Sequence, residues 1–441
     1  MTLMAGAATA DISPTRPAAL FGYPHVERIS TGVHDPLLAS ALHLRDGESV
    51  AVLVALDLLV LDPPTARAIR RAVAQKLAVP EASVFISCTH THSGPITSRL
   101  LAWHDDPAVP RPDPAYLQFV EDRVLDLVDR AARAAVPVEI AWTTADARGV
   151  GGNRLSPSGV TDPEVGILAV REAGGERLLA VAVIYGMHPT VLHEDSTLVS
   201  SDFPHYARQQ LCDVFGESLV VLYHSAPCGN QSPRFVVRGQ TFGEAERLGR
   251  SLGRAIALSL AGLENQRFRG GGPLAGKLLA VDLPRRTLPR VAEAQRLLAE
   301  YRAEYERLKS APGEPAKVRT AECAVFGAEG TLALARLEER GEIEQVLQAY
   351  RPIEVQAVRI GEGCLAGLPG ELFTEYALDI KRRWPGKVFP VSLVNGHLQG
   401  YVVTADAAQA GGYEALTSVL DGPKAGERLA RAALELLAAL A

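Results

Sequence analysis

The sequence predicts an α/β fold, with a mixed β-sheet core covered by helices and a helical-hairpin excursion. Three observations predict it. Near-continuous apolar runs at 49–60, 178–185 and 219–224 have the character of strands buried on both faces. Stretches of helical period separate them at 63–77, 115–134 and 242–263. From 291 to 311 the chain is highly charged, and Leu297, Leu298, Tyr301, Tyr305 and Leu308 form a stripe along it. At 441 residues, 47% of them apolar and 22% charged, the chain suits a soluble protein read as one unit over 1–441, with the excursion at 286–350.

Taken in order, residues 1–35 read as irregular, with turn chemistry at Asp11-Ile12-Ser13-Pro14 and Phe21-Gly22-Tyr23-Pro24 and a packed or capping His34. Strands follow at 39–44 and 49–60, turning at Asp46-Gly47. Asp57 interrupts the second and needs a hydrogen-bonded partner there. Pro63-Pro64 opens a helix that ends near Leu77, and the strand ending at Ile86 then makes a right-handed parallel crossover. A helix at 115–134 and strands at 138–144, 165–171 and 178–185 come next. Asp202 caps a helix at 205–214, and 219–224 is a further strand. The charged helix at 291–311 begins an arm packed on the body or on a second copy of the chain, with a return leg at 339–350. Strands at 353–360, 364–368 and 387–393 and a last helix at 423–440 complete the chain, which shows no internal repeat.

A net charge of -6 and a pI near 6.0 argue against nucleic-acid or anionic-membrane partners, which need a basic face. The apolar runs fall well short of the ~20 residues of a bilayer span, so no integral membrane segment is expected. The start lacks the basic and apolar regions of an export signal, which gives a cytoplasmic expectation. Cys88, Cys212, Cys228, Cys323 and Cys364 are scattered, with no Cys-x-x-Cys pair. That pattern fits reduced thiols, and any metal would be held by nitrogen and oxygen.

The stretch richest in chemistry is Ser87-Cys88-Thr89-His90-Thr91-His92-Ser93-Gly94-Pro95, where an apolar strand opens into a loop. If the strand alternation continues, His90 and His92 share a face and could address one ion. Two histidines at a strand end can equally be ordinary hydrogen-bonded residues. His188 repeats the placement, at the end of a strand before Pro189. Arg154 is the only cation of a Gly-rich loop, either solvated or a clamp for a polar group. Glu371, just after Pro369-Gly370, reads on its own as a helix cap. His193, His205 and His224 read as packing or surface residues.

In sequence order, Ala10-Asp11-Ile12, Phe21-Gly22-Tyr23, Gly32-Val33-His34, Thr89-His90-Thr91-His92-Ser93-Gly94-Pro95, Asn153-Arg154, His188, Ser201-Asp202, Ser232-Pro233, Pro369-Gly370-Glu371, Tyr401 and Tyr413 resemble the neutral ceramidase family, zinc amidases that cleave the N-acyl bond of ceramide. The resemblance implies Zn2+ held by His90, His188, Glu371 and Tyr401. It implies proton transfer by His92, and it implies that Arg154 and Tyr413 engage the substrate's polar head and the developing oxyanion. Against the secreted members of the family, the sequence is expected to be a shorter form without an export signal or a C-terminal sandwich domain. Between Gly400 and Tyr413 it also lacks the family's usual acidic and aromatic residues.

The expected activity is therefore zinc-dependent hydrolysis of an N-acyl bond in a small-molecule substrate. An esterase or deacetylase acting on a small polar acylated metabolite is the alternative within enzymes. A non-catalytic binding homologue is the alternative outside them, with the charged arm as the surface through which a homo-oligomer would form.

Overall fold

The computed structural model describes residues 2–311 and 315–441, and its first strand lies where an irregular start is expected. β1 (Met4–Asp11) is built largely from alanine, glycine and threonine and pairs antiparallel with β2 (Leu38–Asp46) along its whole length. β2 and β3 (Ser49–Leu56) form the expected hairpin. Asp62 caps α1 (Pro63–Leu77) by accepting from Thr65 N, and β4 (Val84–Cys88) returns parallel to β3. α2 (Pro114–Arg133) then covers β1 and β2.

The same succession follows at once: β5 (Val136–Asp146), β6 (Glu164–Glu172), β7 (Leu178–Tyr185), α3 (Phe203–Phe215), β8 (Val220–Ser225) and α4 (Phe242–Ala261), with β7 and β8 parallel. The repeat absent from the amino-acid sequence is thus present in the topology. Together the units form an eight-stranded sheet ordered β8-β7-β6-β5-β1-β2-β3-β4. Its halves meet through the residue pairs Met4↔Pro137 and Ala5↔Val136.

At that short junction the sheet folds back on itself. Ser87 on β4 and His224 on β8 belong to opposite outer strands, yet they hydrogen-bond at 2.7 Å. A second sheet closes the remaining side, in the order β9 (Leu274–Val281), β10 (Ile353–Ile360), β11 (Gly363–Gly367), β12 (Lys387–Val391). Leu42, Leu53 and Phe85 from one half, Trp142, Leu168 and Leu222 from the other, and Leu365 and Phe389 from the second sheet share one core. Each such side chain contributes roughly 1.5–3 kcal/mol by its burial. Outside lie α1 and α2 on the first half, α3 and α4 on the second, and α8 (Thr374–Arg383) and α11 (Gly422–Ala438) on the second sheet. Asp57 has the partner it needs: Arg208 donates to its two oxygens at 2.6 and 2.7 Å.

The excursion is a hairpin of α5 (Val291–Ser310) and α6 (Pro315–Glu339), followed by the separate α7 (Glu342–Tyr350); the tip at 312–314 lies outside the described residues. The return leg is therefore α6 and not 339–350. The apolar stripe of α5 is spent within the chain, since Leu297, Leu298, Tyr301 and Tyr305 pack against Val325, Ala328 and Leu332 of α6. Two short helices, α9 (Ala405–Ala410) and α10 (Tyr413–Leu416), precede α11, and α6 packs directly on α10. The five cysteines are free thiols. Among the described residues no helix is long and apolar enough to cross a membrane.

Candidate metal centre

His90 and His92 reach a common site by a route other than strand alternation. β4 ends at Cys88, and His90 has φ +72°, a left-handed conformation uncommon outside glycine. That twist turns the loop so that the two rings lie 5.0 Å apart, and the His188 ring comes within 4.6 Å of His90 and 5.8 Å of His92. Thr91 points away, donating to Ser200 O at 2.7 Å. Below the loop, buried Arg28 donates to the carbonyls of Phe21 and His92.

Each ring is fixed through Nδ1 by a main-chain oxygen. His90 bonds Leu59 O at 3.0 Å, His92 bonds Gly22 O at 3.2 Å, and His188 bonds Cys228 O at 2.8 Å and Gln231 O at 3.0 Å. A carbonyl only accepts, so the ring proton sits on Nδ1 and the Nε2 lone pair is free. Gly22 has no alternative residue: at φ +106° any Cβ would lie 2.4 Å from His92 Nδ1.

The three Nε2 atoms are buried without hydrogen-bond partners, as is Glu371 Oε2. That oxygen lies 3.1 Å from His90 Nε2 and 3.4 Å from His188 Nε2. Lone pairs placed so close repel unless a cation lies between them. Protonation is a poor solution, because burial pushes His188 down to about 3 and His92 well below its ordinary range. A metal ion fits the donor set: two or three imidazole nitrogens and a carboxylate oxygen. His90, His92 and His188 alone already bring their nitrogens within 4.8 Å of one another.

Glu371 is not a helix cap. α8 begins three residues later with Phe373 at its cap, and Glu371-Leu372 instead pairs with Tyr401-Val402, Glu371 opposite Tyr401. The Tyr401 ring lies 6.4 Å from His188 and 5.9 Å from Tyr413. Burial holds the Tyr401 phenol well above its ordinary range, so its oxygen would ionise only beside a cation. Arg154 is buried and not solvated. Its Nε donates to Glu414 Oε1 at 2.7 Å, its guanidinium carbon lies 5.3 Å from the Tyr401 ring centroid, and its Nη2 has no partner. Glu414 was invisible as a functional residue in the sequence, since nothing there links it to an arginine 260 positions away. The anchoring carbonyls of Gly22, Leu59 and Cys228 were equally hidden, because a main-chain atom leaves no residue signature.

Two spaces open from this cluster. One is narrow and mostly apolar, lined by Leu20, Phe21, Leu100, Trp103 and Leu398 beside His90, His92 and Glu371. The other is a cavity of about 810 Å³ reaching from His92, Arg154, Tyr401 and Tyr413 out to Tyr301 and Arg319 on the hairpin.

Fold and site define a buried imidazole–carboxylate centre set at the ends of strands in an α/β scaffold, the class of site that holds a metal ion. Residues 3–236, more than half the chain, match the family model for the neutral/alkaline non-lysosomal ceramidase, N-terminal. The chain belongs to that family. Glu371, Tyr401 and Tyr413 come from beyond the matched span, so the centre draws on both parts. The fold is similar to the crystal structure of neutral ceramidase from Pseudomonas aeruginosa, with a TM-score of 0.76 and 19% identity over 100% of this chain and 74% of that one. It is similar also to a ceramidase complexed with C2, with a TM-score of 0.75 and 17% identity over 100% and 75% of the two chains. Among proteins of curated function none matches the sequence. Family and fold together support a hydrolase acting on amide bonds.

Proposed function

We propose that the protein is a zinc-dependent hydrolase that cleaves the N-acyl bond of an amphiphilic amide of the ceramide type. The observation that carries this reading is the convergence of three Nδ1-anchored imidazoles and Glu371 on one buried point. In this reading His90, His188, Glu371 and Tyr401 hold the metal. Glu371 is nearer to His90 and His188 than to His92, which leaves the free His92 Nε2 beside the ion. A zinc ion in the site supplies Lewis acidity and lowers the pKa of water toward ~7.

The chain's own groups supply the rest. The acyl tail lies along Leu20, Phe21 and Leu100, with its carbonyl toward Tyr413 and the free Nη2 of Arg154. Those donors stabilise the negative charge that develops on the carbonyl oxygen as water adds to the carbon. His92 Nε2 takes the proton from the attacking water and passes it to the nitrogen as the C–N bond breaks. The products are the carboxylate and the protonated amine.

The test is elemental analysis of the purified protein and of His90→Ala, alongside hydrolysis of N-acyl amides. About one zinc per chain is expected, and metal and amide hydrolysis should be lost together in the variant. A wild type that binds no zinc and gains no hydrolysis on adding it would overturn the reading. Ester cleavage without amide cleavage would move the assignment to an esterase.

A further inference from the structure

The larger cavity holds one guanidinium, that of Arg234, which the proposed reaction leaves unused and which no carboxylate pairs among the described residues. Three guanidiniums line it. Arg319 is matched by Glu194, at 2.8 and 3.1 Å, and by Glu322 at 2.8 Å. Arg154 is matched by Glu414 at 2.7 Å. Arg234 has no carboxylate within ion-pair distance among the described residues. Its side chain reaches the Arg154 carbonyl at 3.3 Å, the Thr320 hydroxyl at 3.4 Å and Cys323 Sγ at 3.9 Å, long contacts to neutral groups.

Arg234 thus lies against the main chain of Arg154 and within reach of its positive charge. Arg154 repels Arg234, and of the carboxylates near Arg154 only Glu414 also acts on Arg234, from beyond ion-pair distance. Burial away from water worsens that repulsion, and a bound anion relieves it by accepting from the Arg234 fork. The site is on the metal side of the cavity, yet it is distinct from the metal's donors. An anion there would belong to the amine half of a substrate whose carbonyl faces the metal.

We propose that Arg234 forms an anion subsite beside Arg154, and that the preferred substrate is an N-acyl amine whose amine half bears a carboxylate or phosphate. This inference rests on the hydrolase reading for its substrate but not for its binding site.

Three amides of equal chain length test it: N-dodecanoyl ethanolamine, which is neutral, N-dodecanoyl β-alanine and N-dodecanoyl phosphoethanolamine. In the wild type, kcat/KM for at least one anionic amide exceeds that for the neutral one by about tenfold or more, as expected for a charge-assisted bond. In Arg234→Gln the ratio falls toward one, mainly through KM, and Arg234→Lys restores part of it. Which anionic amide gains more separates phosphate from carboxylate. A wild-type ratio at or below one, or a ratio unmoved in Arg234→Gln, would overturn the proposal.

Calorimetric binding of N-dodecanoyl β-alanine and N-dodecanoyl phosphoethanolamine to both proteins, without turnover, separates the two levels of the argument. Binding that is weakened by Arg234→Gln, with no amide hydrolysed, keeps the subsite and removes the hydrolase reading. Neutral-amide hydrolysis with equal binding of the anionic amides by both proteins does the reverse.

Discussion

His224 joins the two outer strands of the folded sheet through Ser87, and it does so uncharged. Complete burial pushes its imidazole down to about 3. In the unfolded chain the ring titrates near the ordinary value of about 6.5, so protons favour unfolding as the pH falls from there toward 3. Above pH 6.5 the group exerts no such pull. The window is worth up to about 5 kcal/mol at about 1.4 kcal/mol per unit, and the depressed, largely buried His43 adds to it. His224→Gln should therefore show a shallower loss of stability between pH 6.5 and 4 than the wild type in urea melts, whatever its stability at neutral pH. Parallel slopes in the two proteins would show that His224 does not set the acid sensitivity.

The helical hairpin shows what pattern reading reaches and where it stops. α5 was legible because one stripe is apolar and the rest charged. α6 was not, because it is packed on several sides at once, against α5, against α10, and against Trp103 with its neighbours, so it has no polar face to give it a period. β1 escaped for the opposite reason: its alanines, glycine and threonine carry little strand preference, and pairing with β2 decides its state. The packing of α6 on α10 also supports the site. A Cβ on Gly327 would lie 2.9 Å from Tyr413 Cα and 3.0 Å from Leu416 Cβ. Gly327→Leu should keep the helix and displace Tyr413. The expected result is unchanged helical circular dichroism with kcat/KM for amide hydrolysis down on the order of 10–100-fold. Full activity in that variant would mean that the position of Tyr413 is not held by α6.

At the scale of the molecule, the repeated topology builds the centre from two complementary halves. His90 follows β4 and is anchored by Leu59 after β3; His188 follows β7 and is anchored by Cys228 after β8. Each histidine thus follows one strand of a parallel pair and takes its orientation from the loop after the other. Glu371 then enters beside the second sheet. An ion held there ties the two halves of the first sheet to the edge of the second, so its removal should weaken the whole fold and not just the loop. Chelation should lower Tm by several degrees, with recovery on adding zinc, while His90→Ala should be insensitive to both. Equal melting of chelated and loaded wild type would show that the donors are held in place without an ion. The histidines were legible as residues at strand ends. Their convergence was not, because it depends on how the sheet folds at a junction of two residue pairs.

Main-chain oxygens, and not side chains, aim all three imidazoles. A residue that fits the packing and keeps the path of the chain can stand at 59 or 228 without disturbing the rings, whereas position 22 admits glycine alone. Apart from Gly22, such a site tolerates drift: neighbours that conserve the packing can be exchanged while its geometry is inherited through the backbone. Sequence identity then becomes a poor clock for change in the chemistry, and selection for a new substrate can rework the walls of the cavity without first rebuilding the centre.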